Sequence, residues 1–293
     1  MKITNKYELP STIVDALRSQ QARYSKGDAW MSVTGLQRPP RMSVLTKQHW
    51  GSLSEDASDG VWKLFGSAIH EVLQEGEGNS LIKEERLFME IDGKIISGAI
   101  DVQEVSDFGI AITDWKMTKA RNAQPDSYSL RGWTEQLNCY AELVEQNKEF
   151  PVYELAVCAI IRDHTPQQGE RQKDYPPSPI HMVEIELWPQ EKRLAFIKDR
   201  IAAHVEAEEL FDVTGLLPPC TDEERWKRGD KWAVMPTATS TKAYRIFGSE
   251  EEAKALAATK DKYVVEPRPS SPLRCERYCS AAPFCDQYQG ELK

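Results

Sequence analysis

Two carboxylates and a lysine stand at the ends of neighbouring apolar runs, and this stretch constrains the chain more than any other. The runs are Ser97-Gly98-Ala99-Ile100-Asp101 and Ile112-Thr113-Asp114-Trp115-Lys116. Side chains two apart in a strand share a face, so Asp114 and Lys116 project together. Ser106-Asp107-Phe108-Gly109 lies between the runs and has the composition of a turn. The two runs then form a hairpin, which brings Asp101 beside Asp114 and Lys116. Two carboxylates and an amine converging at a strand end can hold a hard divalent cation and handle an activated water. A hairpin whose ends carry solvated charges is the alternative.

The surrounding pattern supplies a frame for that hairpin. Glu84 to Ile91, the turn Asp92-Gly93, and Lys94 to Val105 read as strand, turn, strand, and Ile110 to Lys116 is the third strand. Upstream, Val61, Leu64, Phe65, Ala68, Ile69, Val72 and Leu73 recur at helical spacing, with His70 at the edge of their face. Gly66, one turn before His70, costs helix stability and suggests a close approach there. Downstream, Met117–Leu130 is a polar loop, and Gly132 to Gln146 returns to helical period through Trp133, Leu137, Ala141 and Val144. Gln136 and Tyr140, four apart, line the adjacent stripe. Val152–Arg162 and Ile180–Leu187 are strands, and Pro189 opens a helix reaching Phe211. This order predicts an α/β (α+β) fold with a mixed central sheet flanked by helices. Residues 1–60 form a weakly patterned helical and extended region, 61–215 the core, and 216–293 a cysteine-rich region.

Composition narrows the class. Of 293 residues, 40% are hydrophobic and 28% charged, as expected of a soluble globular protein. The net charge of −9 argues against a generally basic surface but permits a local basic groove. Met1 to Gln20 has no basic segment followed by an apolar core, and no apolar run approaches membrane-spanning length, so a cytoplasmic location away from membranes is expected. Six cysteines in such a chain point to metal or buried thiols before disulfides. Three of them form Cys275-x3-Cys279-x5-Cys285 on a loop with Pro283, and Cys220, after two prolines, is the natural fourth ligand. The Cx3C spacing departs from the CxxC of zinc ribbons and favours an iron–sulfur cluster over Zn²⁺. Cys139 and Cys158 fall in a helix and a strand and read as packed, inert thiols.

Taken together, His70, Asp101, Asp114-Trp115-Lys116 and Gln136-x3-Tyr140 resemble the motif series of the RecB-type branch of the PD-(D/E)XK nuclease superfamily. The thirteen-residue step from Asp101 to Asp114 suits that branch. The resemblance covers roughly residues 60–165 plus the tail. The tail cysteines resemble those of its iron–sulfur members, the AddB-type recombination nucleases and the CRISPR-adaptation exonucleases. In those relatives the first cluster cysteine precedes the core. Here no cysteine precedes Cys139, so Cys220 takes that role from the C-terminal side. Asp114 stands where Glu is commoner.

The resemblance implies a restriction-endonuclease-like core and a set of roles. Asp101, Asp114, the carbonyl of Trp115 and His70 would hold Mg²⁺ or Mn²⁺, and His70 leans the site towards Mn²⁺. Lys116 would orient or help deprotonate the attacking water, and Gln136 and Tyr140 would position the strand or the lysine. Lys119, Arg121 and Arg131 would contact phosphates, with plain surface charge as the other reading. Cys220, Cys275, Cys279 and Cys285 would carry a [4Fe-4S] cluster. The expected activity is that of a divalent-metal-dependent DNA nuclease, an exonuclease on single strands or DNA ends in recombination, repair or phage/CRISPR-type processing. The alternative is a catalytically silent nucleic-acid-binding adaptor that keeps the fold and a structural iron–sulfur or zinc site. The intact His, Asp, Asp and Lys set disfavours it, because a silent protein has no physical reason to keep all four.

Overall fold

The computed structural model describes residues 1–23, 25–78 and 80–292. The chain divides into two compact units, Met1–Arg38 with Trp50–Gly215, and Pro39–His49 with Leu216–Lys293. In chain order the elements begin with β1 (Lys2–Thr4), α1 (Ser11–Arg23), β2 (Met31–Ser32), α2 (Val33–Leu36), α3 (Pro40–Gln48) and β3 (Ser54–Asp56). They continue with α4 (Val61–Gln74), β4 (Leu81–Ile91), β5 (Lys94–Ser106), β6 (Gly109–Thr118) and α5 (Tyr128–Lys148). The first unit closes with β7 (Val152–Ile161), α6 (Pro166–Arg171), β8 (Ile180–Ile185) and α7 (Gln190–Thr214). No helix of the described residues is long and apolar enough to cross a membrane.

A six-stranded mixed sheet flanked by helices dominates the first unit, in the α/β class that the element order predicts. β4, β5 and β6 run antiparallel in sequence, β6 and β7 are parallel, and β8 returns antiparallel. Helix α5 makes the crossover that a parallel pair requires. Its residues Leu137, Ala141, Leu143 and Val144 pack with Ile96, Ile100, Ile110, Ile112, Leu155 and Val157 in one core. Gly98 is needed at this contact, because a Cβ there would lie 2.7 Å from both Leu143 and Tyr140. Gly109 has φ +143° and meets the Pro151 carbonyl, so the β5–β6 turn also demands glycine. On the outer side of α5, Glu142 is fully buried and receives Arg193 of α7 at 3.2 Å. That pair fixes how the two helices meet.

Local differences from the sequence expectation have local causes. The loop expected over Met117–Leu130 contains a 3-10 turn, Ala120–Ala123, and the helix expected from Gly132 starts at Tyr128. Ser127 makes the earlier start possible by accepting the Ser129 N–H. The amphipathic pattern of α4 is real, but none of its residues is fully buried. Gly66 faces open space, with no described atom within 4 Å of where a Cβ would sit, so the close approach expected there is not made within the chain.

The second unit has its own small sheet. β9 (Lys231–Met235) lies between β10 (Arg245–Phe247) and β11 (Val264–Arg268), antiparallel to both. Helix α8 (Glu250–Ala257) covers it and is capped by Ser249, whose hydroxyl accepts the Glu252 N–H. Short helices α9 (Leu273–Arg277) and α10 (Asp286–Glu291) carry the tail. Helix α3, although early in sequence, belongs to this unit, where Leu45 packs with Ala281 and Cys285.

Candidate active site

The strand β5 has two partners along one edge, with a gap between them. β2 pairs at Ile96 and Ser97, and β6 pairs from Val102 to Ser106. The β5–β6 ladder ends at Val102 opposite Thr113, so Asp101 and Asp114 are the next residues on the two strands. Beyond that point β6 stays paired with β7 through Thr118, while β5 stays paired with β4. The strands therefore fork at the two aspartates. Asp101 Oδ2 accepts the Trp115 N–H at 2.7 Å and replaces the missing ladder bond.

A third carboxylate, absent from the sequence-based set, reaches this fork. β4 pairs Lys83 with Val102 and Glu85 with Ile100, leaving Glu84 across from Asp101. Glu84 has φ +52°, a left-handed conformation that costs a non-glycine residue on the order of 1 kcal/mol. The resulting bend turns its carboxylate towards His70, with Nδ1 2.9 Å from Oε1. His70 Nδ1 also lies 3.7 Å from Asp101 Oδ1, and Nε2 lies 3.3 Å from the Trp115 carbonyl. The donor atoms of His70, Glu84 and Asp101 lie within 4.8 Å of one another. One nitrogen and two carboxylate oxygens, with carboxylates opposed across a ladder, form a cradle that a divalent cation would relieve of repulsion. The acidic pair Glu84-Glu85, between Lys83 and Arg86, was the local signal for Glu84, and nothing local distinguishes the two glutamates.

Asp114 is buried and stands apart from that trio. Its Oδ2 pairs with Lys116 Nζ at 2.6 Å, and its Oδ1 is 3.3 Å from Gln136 Nε2. Gln136 Nε2 also donates to the Tyr140 hydroxyl at 2.8 Å. The structure thus brings together His70, Asp101, Asp114, Lys116, Gln136, Tyr140 and the Trp115 carbonyl, and adds Glu84. The basic candidates differ from these. Lys119 is exposed, Arg121 is held by Asp126 at 2.5 and 2.8 Å, and Arg131 is paired with Glu135 at 2.7 Å. The bidentate Arg121–Asp126 pair is exposed, and Arg131 is exposed with Glu135 half-buried.

The charge states follow from the packing. Burial, with the charge of Asp114, raises the Asp101 carboxyl to about 7. The hydrogen bond to Glu84 raises His70, outweighing burial. Burial opposes the charge on Lys116, but Asp114 and Asp101 more than offset it, and its pKa is raised. Lys116 is therefore an ammonium at neutral pH, able to donate to an oxyanion and unable to take a proton from water. Burial keeps Tyr140 a phenol.

These shifts fix the sign of a pH dependence. Both Asp101 and His70 bind protons more tightly folded than unfolded, so in EDTA stability falls as pH rises from about 4 towards 7 and beyond. Thermal melts across that window should show the wild type losing ground to Asp101→Asn. Parallel slopes for the two proteins would contradict the assignment.

Within the second unit, Cys220, Cys275, Cys279 and Cys285 line one pocket, together with Arg41, Arg225 and Arg274. Burial raises Cys220 to about 12 and raises Cys279. Buried Arg41 of α3 donates Nε–H to Cys285 Sγ at 3.3 Å, and its other nitrogens reach the Leu217 carbonyl at 2.7 Å and Asp286. The N-terminal segment thus reaches the cysteines with a guanidinium rather than a thiol. Cys139 is buried and Cys158 half-buried, both with raised pKa values, as packed thiols should be.

A family model described as PD-(D/E)XK nuclease superfamily matches residues 28–286. Among solved structures, SSO0001 is similar at 18% identity and a TM-score of 0.43, over 69% of this chain and 92% of its own. A candidate exonuclease from Eubacterium rectale is similar at 12% identity and a TM-score of 0.32, over 72% and 79% of the two chains. No curated protein matches.

Proposed function

Because the chain belongs to the PD-(D/E)XK nuclease superfamily, we propose that it is a divalent-metal-dependent deoxyribonuclease of the RecB-type branch, acting on single strands or free ends. The observation that carries this reading is the fork at Asp101 and Asp114, with Lys116 on one arm and His70 and Glu84 across the other. His70, Glu84 and Asp101 would hold Mg²⁺ or Mn²⁺, with the Trp115 carbonyl close by and Asp114 one strand away. When bound, such a cation lowers the pKa of a water and offsets charge on the scissile phosphate. As the water oxygen attacks phosphorus its proton would pass to bulk water, the P–O bond to the leaving sugar would break, and the departing oxygen would take a proton from solvent. Lys116 donates to the phosphate oxygens as charge builds on them. Gln136 anchors Asp114, and Tyr140 anchors Gln136.

The four cysteines of the second unit line one pocket and would hold a [4Fe-4S] cluster, with Zn²⁺ as the alternative, and Arg41, Arg225 and Arg274 would stand beside the four thiolates. Ligation would release the protons that burial holds on Cys220 and Cys279.

Labelled single-stranded DNA carrying the label at either end, compared with closed circular single strands, tests the activity. Linear strands should be degraded with Mn²⁺ or Mg²⁺ and spared with EDTA, and circles should survive. Cleavage of circles would make the enzyme an endonuclease, and no cleavage of either substrate would remove the nuclease assignment.

A further inference from the structure

Helix α4 supplies His70 and has a second, unused face. Trp62, Phe65, Ile69 and Val72 follow one another at three- and four-residue steps, forming a single stripe along the helix. Trp62 and Phe65 are 51% and 52% exposed, and Val72 is 67% exposed. Ile69, between Phe65 and Val72, is half-buried, so the exposed ledge is Trp62 and Phe65, with Val72 two turns on. Large apolar side chains exposed on one helix face call for a ligand. Leu64, on a different face, packs beside Val14 and Leu17 of α1, so α4 is already held in place without this stripe.

Three observations indicate what covers it. Trp62 and Phe65 form a pair with ring centroids 5.9 Å apart. The Arg162 guanidinium lies 3.8 Å over the Trp62 ring, adding a cation to the apolar ledge. Arg162 in turn is fixed to the strand of the active site, since its N–H donates to the Thr118 carbonyl at 3.0 Å, two residues beyond Lys116. The ledge is therefore tied to the candidate centre from both sides, through α4 to His70 and through β6 to Lys116. Eight residues of helix separate Trp62 from His70, about 12 Å along the axis. That is the reach of roughly two to four nucleotides of a single strand. Gly66 lies between them on the row of His70 and offers no side chain to block the path.

We propose that Trp62, Phe65 and Arg162 form a base-stacking platform for single-stranded DNA, seating the bases next to the phosphate held at the active site. An aromatic pair with an arginine matches the flat faces and the backbone charge of an unpaired strand together. Bases stacked within a duplex do not present those faces. The inference rests on the nuclease reading for its substrate, but its test needs no cleavage.

Binding is measured in EDTA with oligothymidylate, an abasic strand of the same length, and a duplex. The wild type should bind oligothymidylate best. Trp62→Ala with Phe65→Ala should bind it about ten-fold weaker, with abasic-strand binding unchanged. Trp62→Phe should retain binding and lose the part of the tryptophan quenching that oligothymidylate causes in the wild type. That variant keeps a ring on the helix and reports even where the double variant fails to fold. Equal binding of base-bearing and abasic strands by the wild type, unchanged binding in the double variant, or quenching unaltered in Trp62→Phe would each overturn the platform. A double variant that binds DNA normally but no longer self-associates would identify the stripe as a contact between copies instead. A wild type that binds strands as described yet cleaves nothing with Mn²⁺ would remove the nuclease reading alone.

Discussion

Lys116→Met and Asp114→Asn should each lower DNA cleavage by about a hundredfold to a thousandfold while the protein stays folded. Lys116 Nζ is a charged donor at the mouth of the fork, and the loss of one such donor at a developing oxyanion costs about 10²–10³ in rate. Loss of Asp114 does further damage, because its carboxylate holds Lys116 on one oxygen and Gln136 on the other. The two variants should separate in metal binding. Lys116→Met removes a cation from beside the carboxylates, so Mn²⁺ affinity by calorimetry should hold or rise while cleavage is lost. Normal cleavage by either variant would sink the assigned roles. Glu84→Gln should weaken Mn²⁺ binding with the fold intact, since Glu84 is the carboxylate nearest His70.

Cys275→Ser or Cys279→Ser should destabilise the second unit and lower the iron bound per chain. Three arginines line the cysteine pocket, and two of them already carry carboxylate partners, Arg41 with Asp286 and Arg225 with Glu291. A cluster ligated by the four cysteines would tie α9, the tail and the segment around Cys220 together, and such ligation contributes folding energy. A deficit of only about 2 kcal/mol would lower the melting temperature of a unit this size by roughly 8–16 °C. Cys158→Ser, on β7 in the other unit, should leave both iron content and this transition unchanged. Full iron content and an unaltered melt in both tail variants would break the link between these cysteines. Stoichiometric zinc without iron would replace the cluster with the zinc alternative.

Much of the candidate site was legible locally. Asp114 and Lys116 share a face by strand period alone, and the Ser106–Gly109 turn places Asp101 near them by hairpin register. Gln136 and Tyr140 meet through the four-residue helical step. The three candidate phosphate contacts were legible only as charge, and the ion partners of Arg121 and Arg131 depend on the loop and helix that form around them.

The sequence by itself determined the elements and the side-chain rows on them, because helical and strand periods act over a few residues and need no distant partner. It therefore determined the hairpin with Asp101, Asp114 and Lys116, the helix carrying His70, and the order of strands and helices around them. Only the tertiary structure decided that β5 and β6 part at the two aspartates, since that depends on where β2, β4 and β7 take up their edges. It also decided that Glu84 turns out of the ladder to face His70 and that Arg41, far from the cysteines in sequence, donates to Cys285. The exposed stripe of α4 was decided there too, because an amphipathic pattern fixes which residues share a face but not whether the fold brings anything to cover it.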